Sequence, residues 1–337
     1  MESRLSSAEP LSRPQICLLI LKSQLFRHWH WFQYHFRTLN CPGMEHPLAQ
    51  SIIDALVVCD KFMPGYAKQF IDSFAAIGGK DKFEAHYEQL LQRLAELHVV
   101  KQVVSFSWPS GTLFRSEPTA EGSRKNPEIT VQNGEQTYGI EVKAPALLGH
   151  VRNRSSNGTQ LPARVFSRET LVSVRRVNEK LTLPRDNPVK DFLISANDKF
   201  CSFKKRTLHF TGVLVIVWDD FIYEPISSLL HESSGLFTPK SFYRDESGAA
   251  TLFPNVDGVF VIRHLHQLSR AARDEDLIDG CKHPLDFGND GVFPFKAFIA
   301  NPAGARVPDI LLRCMQGYPP KPEMGAEYRP QDIVLWS

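Results

Sequence analysis

The residues best suited to hold a divalent ion and assist hydrolysis gather in one short stretch. Pro127-Glu128 precedes Glu141-Val142-Lys143, the two carboxylates standing 13 residues apart. Mg²⁺ and Mn²⁺ take hard oxygen ligands, and a nearby ammonium can orient a water or balance charge that develops during attack. Acid-x-Lys occurs once in the chain, at Glu141, whereas Pro followed by an acid occurs three times, at Glu128, Asp309 and Glu323. The chemistry therefore rests on the two patterns together. Side chains alternate along a strand, so Glu141 and Lys143 share a face, and a hairpin at Asn133-Gly134 can lay Glu128 beside them.

Several elements must position these groups. Leu48, Ile52, Ile53, Leu56 and Val57 recur at helical spacing between Pro47 and Asp60, and Lys68 to Ile77 reads as a second helix stopped by Gly78-Gly79. Phe83, Tyr87, Leu90, Leu91, Leu94 and Leu97 form one stripe, predicting an amphipathic helix from Asp81 to His98. The period then changes. Val103–Trp108, Glu128–Gln132 and Thr137–Val142 read as strands, and residues 150–168 as a polar, basic loop. Asn187-Pro188 starts a further helix whose apolar face runs through Val189, Phe192, Leu193, Ala196, Phe200 and Phe203. Gly212–Trp218 is an apolar run expected as a buried central strand, and Val256–Arg263 as one more. The first 43 residues, crowded with His and aromatics around Arg27–Phe36, show no clean period and are expected to be a poorly ordered extension.

With the order helix, three strands, helix, strand in place, the sequence resembles the PD-(D/E)XK nuclease superfamily, the restriction-endonuclease-like fold. The likeness covers residues 81–220 and rests on Pro127-Glu128 and Glu141-Val142-Lys143. It implies an α/β protein with a central mixed sheet flanked by helices. It also implies that Glu128 and Glu141 ligate Mg²⁺ or Mn²⁺, that the Val142 carbonyl adds a ligand, and that Lys143 orients or activates the attacking water. Some members take a further acid from the first helix, for which Glu84 is the candidate and Glu88 the reserve. The family more often has Asp where this chain has Glu128. The implied division is an extension over 1–43, packing helices over 44–80, a nuclease-like core over 81–220, and a C-terminal extension over 221–337 that completes or covers the core.

The charge distribution points the same way. Residues 150–210 carry 13 Lys/Arg against 5 Asp/Glu, and residues 211–337 carry 11 against 17. Arg152, Arg154, Arg164 and Arg168, with Arg175, Arg176 and Lys199, are therefore candidates to hold the phosphates of a nucleic-acid partner, DNA in the first instance. Asn197 is a second polar position on the helix that carries Lys199. Asp219-Asp220 reads as a polar strand exit, and His264-Leu265-His266 as two imidazoles lacking a third ligand at zinc spacing.

The six cysteines lie far apart with no Cys-x-x-Cys pair, which suits a reducing, cytoplasmic compartment. Ile16–Leu21 is too short for a signal-peptide core, and no apolar run reaches membrane-span length, so no membrane partner is expected. Phosphate-loop, nucleophile-elbow and His-Glu-x-x-His patterns are missing from the sequence. The leading expectation is a metal-dependent phosphodiesterase acting in defence or repair. Its rival is a nuclease-fold module that binds nucleic acid or protein without chemistry, and a small-molecule hydrolase ranks third. Oligomeric state is open, with a dimer among the options.

Overall fold

The computed structural model describes residues 9–28, 30–41, 43–79, 83–118, 126–164, 169, 172–173, 181–321, 324–330 and 333–335. A seven-stranded mixed sheet forms the centre, in the order β1-β2-β3-β6-β7-β8-β9. Its strands are β1 (Leu113–Ser116), β2 (Ile129–Asn133), β3 (Gln136–Lys143), β6 (His209–Trp218), β7 (Gly258–Arg263), β8 (Lys296–Ala300) and β9 (Gly317–Tyr318). β4 (Thr159–Gln160), β5 (Leu181–Thr182) and β10 (Val334–Leu335) make a separate three-stranded patch.

The β2–β3 hairpin closes at the Asn133–Gln136 pair, so its two-residue loop is Gly134-Glu135, one position beyond the expected Asn133-Gly134; Gly134 has φ +57°, a conformation that glycine adopts without steric cost. β3 pairs parallel with β6, and β6 with β7. A parallel pair needs a crossover, which helix α7 (Asp186–Lys204) supplies between β3 and β6. α7 buries Val189, Leu193, Ala196 and Phe200 against the sheet. It lies close because Gly139 and Gly212, paired across β3 and β6, leave room for Phe200. A Cβ on Gly212 would stand 2.5 Å from a Phe200 ring carbon and 2.9 Å from the Asn255 carbonyl oxygen.

Five helices precede the sheet: α1 (Arg13–Lys22), α2 (Gln24–Arg27), α3 (Pro47–Phe62), α4 (Tyr66–Ala75) and α5 (Glu84–Ser105). α5 packs on β3, and Trp108 just beyond it stacks on Tyr138, on the sheet face opposite Glu141. Four short helices complete the described set: α6 (Leu148–Ser156), α8 (Tyr223–Leu230), α9 (Leu265–Ala271) and α10 (Asp309–Met315).

Several expectations need correction. Val103–Trp108 is not a strand: α5 continues to Ser105, and Val99, Val100, Val103 and Val104 bury as part of its inner face. The first strand of the sheet is instead β1. The stretch expected as an irregular basic loop contains α6 and β4. The N-terminal segment, expected to be poorly ordered, packs from α1 through a 3₁₀ turn at Trp31–Phe36, burying Ile16, Ile20, Leu25, Phe32 and Phe36. From the C-terminal part, β7, β8 and β9 belong to the main sheet. Among the described residues no helix is long and apolar enough to cross a membrane.

Candidate active site

The hairpin register decides how the predicted acids stand. Ile129 pairs with Ile140, so extending the antiparallel ladder by one position sets Glu128 opposite Glu141, on the same face. Glu141 is fully buried, and its Oε1 accepts hydrogen bonds at 2.6 Å from both Lys143 and Lys199. Lys143 comes from the same strand face and Lys199 from the overlying α7, which the glycine pair lets approach. Among the described residues Glu141 Oε2 is buried without a hydrogen-bond partner. An orphaned carboxylate oxygen in such a place is costly unless something else ligates it.

A third acid completes the group, and it is neither of those expected. Glu84 sits at the exposed start of α5 and pairs with Arg152 at 2.7 Å, and Glu88 accepts the Leu148 backbone N–H at 2.9 Å. The first-helix acid near Glu128 is Glu96, which lines one crevice with Glu128, Glu117 and Arg93 and is ion-paired to Arg93. Burial, reinforced by the charges of Glu96 and Glu141 and opposed by the two lysines, pushes the Glu128 carboxyl up to about 8. Burial also raises Glu96, against the pull of Arg93. Burial would lower the Lys143 ammonium, but Glu141 beside it prevails and holds it above the usual lysine value. Lys143 thus stays a cation and donor near neutrality.

The donors are carboxylate oxygens, the kind a hard divalent ion takes, and that of Glu141 is orphaned. The crevice beside Glu96 and Glu128 has a volume of about 10 Å³, room for one water, and Glu141 does not line it. Among the described residues, three His, Cys, Asp or Glu donors lie mutually within 4.8 Å at two other places, His35/His46/Asp274 and Asp220/His266/Asp279. Glu96, Glu128 and Glu141 form no such trio, so an ion at Glu141 would take most of its oxygens from water and substrate, as Mg²⁺ habitually does. Val142 lies beyond the last β2 pair, with its side chain on the opposite face from Glu141.

The basic residues divide. Lys199 joins the acids, as just described. Arg152 is exposed and reaches Glu84. Arg164 grips Asp186 through two hydrogen bonds, at 2.6 and 3.1 Å, and lies over the Phe242 ring. Arg154 is committed within the fold rather than offered on the surface: it is buried, bonded to Asp219 at 2.6 Å and to Glu224 at 3.2 Å, with its guanidinium 3.6 Å from the Phe221 ring centroid. Asn197 accepts the Asn255 backbone N–H, a structural bond. Arg168, Arg175 and Arg176 lie outside the described residues. His264 is buried and stacks on His98, centroids 3.8 Å apart, while His266 turns away on α9 toward Asp220 and Asp279. They do not share a strand face, because β7 ends at Arg263.

A cavity of about 600 Å³ lies where the C-terminal ends of β3 and β6 meet α5, α6 and α9, beside Glu88, Arg154, Asp219, Phe221 and His266. Glu128, Glu141 and Lys143 do not line it. Comparison with known proteins finds no matching family model, curated protein or solved structure.

Proposed function

We propose that the chain is a metal-dependent nuclease that hydrolyses phosphodiester bonds, with DNA the first substrate to test. The observation that carries this reading is the buried, unpartnered Oε2 of Glu141, set opposite Glu128 with Lys143 and Lys199 on the other carboxylate oxygen. The resemblance to the PD-(D/E)XK superfamily at Glu128, Glu141 and Lys143 adds to it.

Glu128 and Glu141 would hold Mg²⁺ or Mn²⁺, with Glu96 as an additional nearby carboxyl. When bound, the ion supplies Lewis-acid stabilisation and a more acidic water. The remaining work falls to the chain. Lys199 keeps the Glu141 carboxylate turned so that Oε2 stays free. Lys143, held protonated, donates to the phosphate oxygen on which negative charge grows.

A second reading also has a specific observation behind it. Both lysines already neutralise Glu141 Oε1, and the crevice is nearly closed, an arrangement that suits a nuclease-fold module which binds a partner without chemistry. Incubating duplex and single-stranded DNA and RNA with the protein and Mg²⁺ or Mn²⁺, beside a Glu141→Gln variant, separates the two. Cleavage by the parent that the variant lacks supports the nuclease; equal background from both removes it.

A further inference from the structure

Away from the carboxylates of β2 and β3, a second donor set assembles at the C-terminal ends of β6 and β7. Asp220 follows β6, His266 stands in the first turn of α9, and Asp279 comes from the loop beyond that helix. His266 Nε2 lies 3.2 Å from Asp220 Oδ1 and 3.7 Å from Asp279 Oδ2. Four-coordinate zinc with bonds of about 2.0 Å separates its ligand atoms by roughly 3.3 Å, so these donors already stand at the spacing of a shared first shell.

The imidazole supplies an independent indication. The His266 side chain is 9% exposed; among the described residues Nδ1 is buried with no hydrogen-bond partner, and Nε2 has only the two carboxylates before it. A buried imidazole normally finds such a partner. Orientation of the acids is provided by Arg263, whose guanidinium donates to Asp220 at 3.0 Å and to Asp279 at 2.6 Å. A carboxylate oxygen accepts at two sites, so each can serve Arg263 and an ion together. Arg263 then resembles the outer partners that fix metal ligands in place. Charge leaves room for a cation too, because the Glu327 carboxyl interacts with the same Asp220, Asp279 and Arg263. Two acids contact one guanidinium, and a third feels its charge.

We infer that Asp220, His266 and Asp279 form a binding site for a zinc-type divalent transition ion, separate from the candidate active site. The mixed nitrogen and oxygen set favours such an ion over Mg²⁺ or Ca²⁺, which prefer oxygen alone. Asp220 and His266 also line the cavity of about 600 Å³, so an exchangeable ligand of the ion can enter from there. The other compact group differs in its bonding. His46 Nδ1 accepts the Leu48 N–H while its Nε2 meets Asp274 and His35, so that cluster is already saturated and ties the N-terminal segment to the turn after α9.

The test uses the full chain stripped of metal, in a Glu141→Gln background that disables the carboxylate site. Zn²⁺ alone is titrated in competition with a chromophoric chelator, and bound metal is counted after dialysis. One equivalent should bind, and His266→Ala or His266→Gln should weaken it at least about 10-fold, the least expected even from disturbing an outer partner. Co²⁺ in place of Zn²⁺ should give the visible absorption of a low-coordinate ion, lost in the same variants, with circular dichroism verifying their fold. No bound Zn²⁺, or Zn²⁺ held equally by folded His266 variants, overturns the site. Loss of the ion in His46→Gln with full retention in His266→Gln would also overturn it, placing the metal at His35, His46 and Asp274.

Discussion

Arg154→Met removes a guanidinium from the buried junction of α6, β6 and α8 while keeping most of the stem. Asp219 and Glu224 would then face each other without their cation, in a place where the Arg154 side chain is only 4% exposed. Breaking a buried ion pair by removing one partner costs about 3–5 kcal/mol, mainly the penalty of the stranded charge. An unfolding entropy of about 2.1 cal/mol/K per residue over 337 residues gives about 0.7 kcal/mol/K, so the melting temperature should fall by about 4–7 °C. Burial already raises the Asp219 carboxyl, against the pull of Arg154. Loss of the guanidinium raises it further, so the deficit should be largest at neutral pH and shrink as acid protonates the stranded carboxylates. Arg152→Met is the control: its exposed pair with Glu84 should matter by less than about 1 kcal/mol. Calorimetry and urea titration of the three proteins give the comparison, with DNA affinity measured across salt concentrations. Melting of Arg154→Met within about 1 °C of the parent, together with a flattened salt slope, would refute the buried assignment and restore Arg154 to the phosphate contacts.

Three further outcomes follow from the candidate active site and its support. With the Glu128 carboxyl near 8, one Mn²⁺ ligated by its carboxylate should release about 0.9 proton at pH 7, and affinity should rise about tenfold per pH unit before levelling above 8. Calorimetric titration in buffers of different ionisation heat measures this, and observed heats that do not change with the buffer would contradict it. For the metal-free protein the sign is opposite: folding binds the Glu128 proton more tightly, so its contribution to stability falls as pH rises from the ordinary 4.5 through about 8, and Glu128→Gln should flatten that slope in urea titrations. Glu96→Gln removes a charge that raises Glu128, so the midpoint of the Mn²⁺ pH profile should move to lower pH; an unmoved midpoint would separate the two acids. Gly212→Ala should cost about 1–3 kcal/mol by forcing Phe200 and α7 away from the sheet, and should weaken Mn²⁺ binding by displacing Lys199 from Glu141, whereas unchanged stability and binding would show that α7 yields freely.

The centre of the fold was legible because its signals were local. Asn133-Gly134 marked the hairpin to within one position of its Gly134-Glu135 loop, the apolar run of β6 marked a buried strand, and the period of α7 was plain. What stayed hidden depended on tertiary partners. Val99, Val100, Val103 and Val104 are β-branched, so the end of α5 resembles a strand until the sheet beneath it selects the helix. α6 has no apolar stripe, since the side chain it buries is Arg154, whose charge is met by acids from β6's end and α8. Glu96 stands three residues after Arg93, the spacing of an ordinary surface ion pair on a helix, and only the crevice it shares with Glu128 distinguishes it. Likewise His266 gains Asp220 and Asp279 from separate loops, which no ligand-spacing rule could join.

The central claim is that Glu128, Glu141 and Lys143 work as one hydrolytic centre, and Lys143→Met tests it most directly. The substitution removes the ammonium bonded to Glu141 but leaves the second, from Lys199, in place, so the protein should fold and retain nucleic-acid binding. Turnover of DNA with Mg²⁺ or Mn²⁺ should fall by at least about 100-fold, the ordinary size of an electrostatic contribution at a reacting phosphate. A folded Lys143→Met protein that cuts at the parent rate, or a parent that shows no metal-dependent cleavage on any DNA or RNA form, would contradict the account.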